Sequence, residues 1–221
     1  MRPARTRQAA VPERAAPTGI LLAAGCGLRF GADKRWQPLA DGTPMAVAAA
    51  CSLASAVAEV VVVLRPEDRE LAALMRRRGC RPVFCAKAAN GMGHSLAAGV
   101  AATAHASGWL VALADMPWIR PDSHRAVVAA LRAGASQARA CHRACPGHPV
   151  GFSSIWLPQL VALAGDRGAR DLLDDRVLAH CEVADPGVLK DVDLAVDLAA
   201  MDGTWAMNVA TGATRTAEDG R

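Results

Sequence analysis

Between Gly19 and Trp36 the chain reads GILLAAGCGLRFGADKRW, an apolar run that empties into a segment carrying Gly25, Gly27 and Gly31 and closing on Arg29, Lys34 and Arg35. Glycines let backbone N–H groups come close to anionic oxygens, and Arg29 and Lys34 add fixed positive charge beside them. That combination suits the polyphosphate of a nucleoside triphosphate. Two familiar phosphate loops do not fit. A dinucleotide fingerprint needs glycine where Phe30 stands, and a P-loop needs its second glycine one position earlier than Gly31, followed by lysine rather than Ala32. Both of those loops open directly into a helix, whereas Pro38, Asp41, Gly42 and Pro44 keep this chain irregular. An irregular stretch of about twenty residues at a strand end points to a bound ligand that orders it.

Four other places carry chemistry. Asp115, in LADMP, directly follows the apolar run WLVALA, where a carboxylate either holds a hard cation such as Mg²⁺ beside a polyphosphate or caps a turn. In NGMGHSLAAGV, Gly91 and Gly93 precede a helix and Ser95 lies in its first turn, an arrangement that either exposes N–H groups to a nucleotide or simply caps the helix. His148 sits in CPGHPVGF near Cys141 and Cys145, but CHRAC lacks the second ligand pair that a zinc site requires. Arg167 and Arg170, in GDRGAR, suit either an anion or an exposed helix start. No Ser-His-Asp or Cys-His set is recognisable.

The elements that must position these groups alternate along the chain. GILLAAG, EVVVVL from Glu59, CRPVFC from Cys80 and WLVALA from Trp109 have the short continuous apolar character of strands buried on both faces. Helical stretches are expected at 45–56, 67–77, 94–105 and 122–133, with Pro121 near a start and Gly79 and Gly134 past ends. Strand followed by helix, four times over, predicts an α/β fold: a three-layer αβα arrangement with a mostly parallel sheet. After Gly134 a strand pair is expected around a turn at Pro146 and Gly147, then helices at 155–163 and 169–174, a strand near 177–183 and a last helix at 194–201.

At 221 residues and 52% hydrophobic, the chain is expected to form one domain, over 18–202, between a basic leader (1–17) and a polar tail (203–221). Most of the net charge of +4 lies in that leader, through Arg2, Arg5, Arg7 and Arg14 against Glu13, so the body has no nucleic-acid footprint. Seven cysteines, odd in number and mostly set in apolar runs, argue against a disulfide framework and for a reducing cytoplasm. No secretory signal or membrane-spanning stretch is seen.

The segments LAAGCGLRFGADK, GMGHSLAAGV, LADMPWI, GHPVGF and GDRGAR together resemble the nucleotidyltransferases that activate molybdenum cofactor, most of all the molybdenum cofactor cytidylyltransferases. The resemblance spans roughly residues 20–201, with its motifs in family order. It implies a Rossmann-like nucleotidyltransferase fold, Mg²⁺ as cofactor, and transfer of CMP from CTP to the phosphate of molybdopterin, for delivery to a molybdoenzyme or its maturation chaperone. It implies nucleotide contacts from Leu22, Ala23, Ala24, Gly25, Gly27, Arg29, Lys34, Gly91, Gly93 and Ser95. It implies metal ligation by Asp115 with Asp193 or Asp191, although Leu194, Ala195 and Val196 depart from the family's usual Thr-Pro-Glu. His148, Arg167 and Arg170 would face the pterin, and Lys34, Arg29 and Asp115 would carry the catalysis. Ala24, where guanylyltransferases have a second glycine, and the Gly147, His148, Pro149 element favour CTP. Two alternatives keep the fold: another acceptor or GTP, or a non-catalytic protein that binds and delivers pterin or nucleotide.

Overall fold

Apolar runs bounded by glycine or polar residues become the central strands. In chain order the computed structural model contains β1 (Thr18–Leu22), α1 (Met45–Ala54), β2 (Val60–Leu64), α2 (Arg69–Arg77), β3 (Arg81–Phe84), α3 (Met92–Ala101), β4 (Gly108–Leu113), α4 (Pro121–Arg132), β5 (Gln137–His142), β6 (Cys145–Ser153), α5 (Leu157–Val161) and β7 (Leu178–Glu182). The structure describes residues 17–25, 33–194 and 196–198. The basic leader before residue 17, the tail, and Gly27 and Arg29 lie outside the described residues, as does half of the expected 194–201 helix, of which 196–198 are helical.

One seven-stranded sheet runs in the order β3-β2-β1-β4-β6-β5-β7. All of its pairings are parallel except those of β6, which lies antiparallel to both β4 and β5. Alternate side chains of each buried strand enter opposite cores. Leu21, Val62, Leu110 and Ala112 pack beneath α1, α2 and α4, whereas Ile20, Val61, Val63, Trp109 and Val111 pack beneath α3 and α5. This is the expected three-layer α/β arrangement. Because β2 lies on one side of β1 and β4 on the other, the strand order reverses between β1 and β4. That crevice, at the carboxyl ends of the strands, is where open sheets of this kind bind ligands.

The chain past Gly134 departs from expectation in two ways. The hairpin turn is at Arg143 and Ala144, both at positive φ, and Pro146 and Gly147 belong to β6. A two-residue hairpin turn with both central residues at positive φ favours Asn-Gly. Here the carboxylate of Glu182 on β7 accepts from the backbone N–H groups of Arg143 (2.5 Å) and Ala144 (3.2 Å), so a tertiary partner does what turn residues ordinarily do. Gly147 is small for another reason: a Cβ there would lie 2.2 Å from the carbonyl oxygen of Val188. Of the two helices expected next, the first is present as a 3₁₀ turn at Ser154–Trp156 running directly into the five-residue α5, whereas the second is only a 3₁₀ turn at Ala169–Leu172.

No helix among the described residues is long and apolar enough to cross a membrane. Cys51, Cys80, Cys85, Cys141, Cys145 and Cys181 are free thiols.

His124 of α4 is buried with its Nδ1 unpartnered among the described residues. Burial pushes its pKa down to about 4; Asp185 opposes the shift and Arg125 adds to it. The folded protein therefore keeps His124 neutral where the unfolded chain protonates it. Its contribution to stability is complete above about pH 6.5 and is lost as pH falls towards 4, by up to ~3 kcal/mol. Urea midpoints at pH 7.5, 5.5 and 4.5 should fall in that order, with a shallower decline in His124→Leu; equal slopes in the two proteins would refute the assignment.

Candidate active site

At the β1–β4 reversal lies a cavity of about 300 Å³ lined by Leu22, Ala24, Gly25, Ala88, Ala89, Gly91, Met92, Ser95, Leu113, Asp115 and Asp166. Four stretches distant in sequence supply it: the end of β1, the start of α3 with the turn before it, the end of β4 and the segment that carries Asp166. Leu22, Ala24, Gly25, Gly91, Ser95 and Asp115, all singled out from sequence, thus share one wall system. Gly91 has φ +120°, and a Cβ there would lie 2.1 Å from the carbonyl carbon of Gly165. It therefore allows both the turn into α3 and the approach of the segment that carries Asp166. Ser95 is buried inside α3, and Gly91 takes the cap position, so Ser95 is a wall residue and no cap.

Two predicted contacts fall elsewhere. The N–H of Gly93 donates to the carbonyl of Gly165 at 2.9 Å, which ties α3 to the 165–167 segment and leaves that amide committed. Ala23 is buried behind the cavity, and its carbonyl accepts from Arg35 Nη1 at 2.7 Å.

At the rim the charged groups meet. Lys34 Nζ lies 2.8 Å from Asp115 Oδ2, 3.6 Å from Asp193 Oδ1 and 2.7 Å from the carbonyl of Val192. The segment holding Asp193 is fixed there by Val192, which is fully buried against Met45 and Trp118 and whose N–H donates to the carbonyl of Asp115 at 2.9 Å. Two carboxylates and a carbonyl thus surround the Lys34 ammonium; Asp115 and Asp193 are oxygen ligands of the type that hard divalent cations take, although no group of three or more His, Cys, Asp or Glu gathers into a metal site among the described residues. Asp191, on the other side of Val192, lines a different cavity and does not join this group.

Arg35 is a structural residue that sequence reasoning placed only among the loop's cations. Its side chain turns inward and is buried, making paired 2.6 Å hydrogen bonds to Asp68, two more to Asp33 and one to Ala23. Burial acts to raise the Asp68 carboxyl, but the hydrogen bonds from Arg35 and Arg65 outweigh it and hold it down at about 2. Asp33 also caps the short 3₁₀ turn that carries Lys34. The effect is to pin Lys34 between the end of β1 and the start of α2.

Beyond β4, on the β6 side, a second cavity of about 380 Å³ is lined by Leu113, Met116, Arg139, Pro146, Gly147, His148, Val150, Arg170, Val188, Leu189 and Asp191. His148 and Arg170 meet here as expected; Arg167 is exposed and lines neither cavity. In the register of β5 with β6, Arg139 faces Val150 and Cys141 faces Pro146, so Ala140 alone spans residues 147–149. That bulge sets His148 and Arg139 in one wall system. Burial, with Arg139 next, pushes His148 down to about 4, so its imidazole is neutral at physiological pH.

Known proteins share this arrangement of chain. The model of the MobA-like NTP transferase domain matches residues 19–182. Purine catabolism protein PucB of Bacillus subtilis (strain 168) is 34% identical over 79% of this chain and 90% of its own length. Nicotine blue oxidoreductase of Paenarthrobacter nicotinovorans is 31% identical over 80% and 91% respectively. Among solved structures, Rv0371c from Mycobacterium tuberculosis H37Rv superposes with a TM-score of 0.72 at 25% identity, over 86% of this chain and 99% of that one, and its complex with manganese superposes with a TM-score of 0.70.

Proposed function

Starting from the fact that the chain belongs to the MobA-like NTP transferase domain family and is a nucleotidyltransferase of it, we propose that it transfers CMP from CTP to the phosphate of molybdopterin and releases pyrophosphate. The observation that carries this reading is the convergence of Lys34, Asp115 and Asp193 on the rim of a nucleotide-sized cavity at the sheet's reversal point. Ala24 in that cavity, and the Gly147, His148 and Pro149 element at the neighbouring one, support CTP and a pterin acceptor. The product would pass to a molybdoenzyme or its maturation chaperone.

An oxygen of the acceptor phosphate forms the new bond to the α-phosphorus as the bond to the β-phosphate oxygen breaks, and the electron pair leaves with pyrophosphate. A phosphate monoester is already largely dianionic near neutral pH, with a second pKa of about 6, so no protein base is needed. Positioning and charge stabilisation suffice. The carboxylates of Asp115 and Asp193 suit magnesium, which takes oxygen ligands: they would hold it, and when bound it supplies Lewis-acid charge beside the phosphates. The manganese complex of Rv0371c supports a divalent cation in this family. Lys34 stabilises charge on the departing pyrophosphate. Gly25 offers its backbone to the triphosphate, and Gly27 and Arg29, outside the described residues, belong to the same reading.

The test is a competition of CTP, GTP and ATP with Mg²⁺ and loaded molybdopterin, read as pyrophosphate release. CTP should be consumed preferentially. Preference for GTP would overturn the nucleotide assignment, and no pyrophosphate from any nucleotide would overturn the acceptor.

A further inference from the structure

We propose that Arg139 and Arg170 form a phosphate clamp in the second cavity, one that takes the phosphate monoester of an acceptor whose remaining body is apolar or ring-like. Calling the ligand an acceptor rests on the nucleotidyl-transfer reading; the anion site itself does not.

Arg139 comes from β5, a strand paired on both sides by β6 and β7, where a guanidinium needs a reason to be. Its Nε is buried without a hydrogen-bond partner, and its side chain makes no ion pair among the described residues. A buried donor left unmade costs about 1–3 kcal/mol, which a protein does not ordinarily spend on a surface contact. Burial holds Arg139 below the usual guanidinium range; the positive charge of Arg170 adds to that, and Cys141 and Asp175 oppose it. Two cations thus line one cavity, and neither makes an ion pair with a carboxylate among the described residues, although Asp175 is near enough to act on Arg139. A phosphate dianion relieves both, since the planar guanidinium fork matches its oxygens.

The rest of the wall agrees. His148 Nδ1 is also buried without a hydrogen-bond partner among the described residues, and a neutral imidazole there offers a donor or an acceptor without adding charge. Asp191 is the acidic residue of the lining, against two arginines. Leu113, Met116, Val150, Val188 and Leu189 make the remainder apolar, which suits a ring better than a sugar. Finally, Leu113 and Met116 flank Asp115 along the chain, so a phosphate clamped in this cavity is presented beside the rim where the α-phosphate is expected.

The test uses inorganic phosphate and the full chain, in the Lys34→Met background so that the first cavity's ammonium is removed. Phosphorus NMR line broadening should show saturable binding to Lys34→Met, and binding at least about tenfold weaker when Arg139→Met is added, the loss typical of a charge-assisted pair. Equal binding by the two proteins, or no binding to either, overturns the clamp. Should Arg139→Met fail to fold by circular dichroism, Arg170→Met, at an exposed position, replaces it with the same expected direction. In turnover assays Arg139→Met should raise the KM for the phosphorylated acceptor at least about tenfold, with the KM for CTP unchanged. Normal transfer with an unchanged acceptor KM defeats the clamp while leaving the transferase reading intact. Phosphate binding that depends on Arg139 in a protein that transfers no nucleotide defeats that reading and leaves the anion site standing.

Discussion

Asp115→Asn is expected to lower nucleotidyl transfer at least about a hundredfold, the scale on which a single transition-state electrostatic contact is lost. The substitution keeps the shape of the side chain and removes its charge, at a position where the carboxylate lies 2.8 Å from Lys34 and beside Asp193. The fold should survive. The pair is only partly buried, and Lys34 retains the carbonyl of Val192 and the Asp193 carboxylate as partners. The loss should appear in kcat and resist saturation with CTP, because the contact matters most where charge develops. Lys34→Met should fall by a similar factor. Pyrophosphate release at saturating CTP, with urea midpoints as the control for folding, measures both; turnover within a few-fold of wild type in either variant removes that residue from the mechanism.

Arg35→Met should destabilise the protein by roughly 3–5 kcal/mol, the typical cost of leaving a buried charge without its partner. Asp68 is buried and receives two hydrogen bonds from Arg35, so the single substitution strands its carboxylate inside the fold with Arg65 alone. The double variant Arg35→Met, Asp68→Leu should recover part of that loss, because both charges are then gone. Urea midpoints of the two variants decide it. A single variant as stable as wild type, or a double variant less stable than the single, would contradict the role given to this network. A loss of this size is a large fraction of the 5–15 kcal/mol that ordinarily holds a domain together.

The architecture was readable because its strongest signals are local. The runs at β1, β2 and β4 are continuous and apolar since both faces of those strands are covered, and the proline and glycine punctuation brackets α2 and α4 within about two residues. The first cavity was readable in part for the same reason: its glycines and Asp115 stand at the ends of legible elements. Arg35 was not readable. Its neighbours in sequence are a cationic loop, and only the approach of Asp68, 33 residues away, makes it an interior residue. Arg139 sits in a strand whose alternation gives no hint that a bulge in β6 will open a cavity beside it. Pro146 and Gly147 have turn composition, yet Gly147 is needed for the close approach of Val188, a contact that local pattern does not encode. Asp191 and Asp193, two residues apart, serve different cavities because Val192 between them is fully buried.

Leu113, the last residue of β4, borders both cavities. With nucleotide and acceptor placed as proposed, the two reactants have separate berths divided by a single strand tip, and neither must vacate its place before the other arrives. Such a layout favours a ternary complex with direct displacement over a relay through a covalently loaded enzyme, and it leaves the order of addition free.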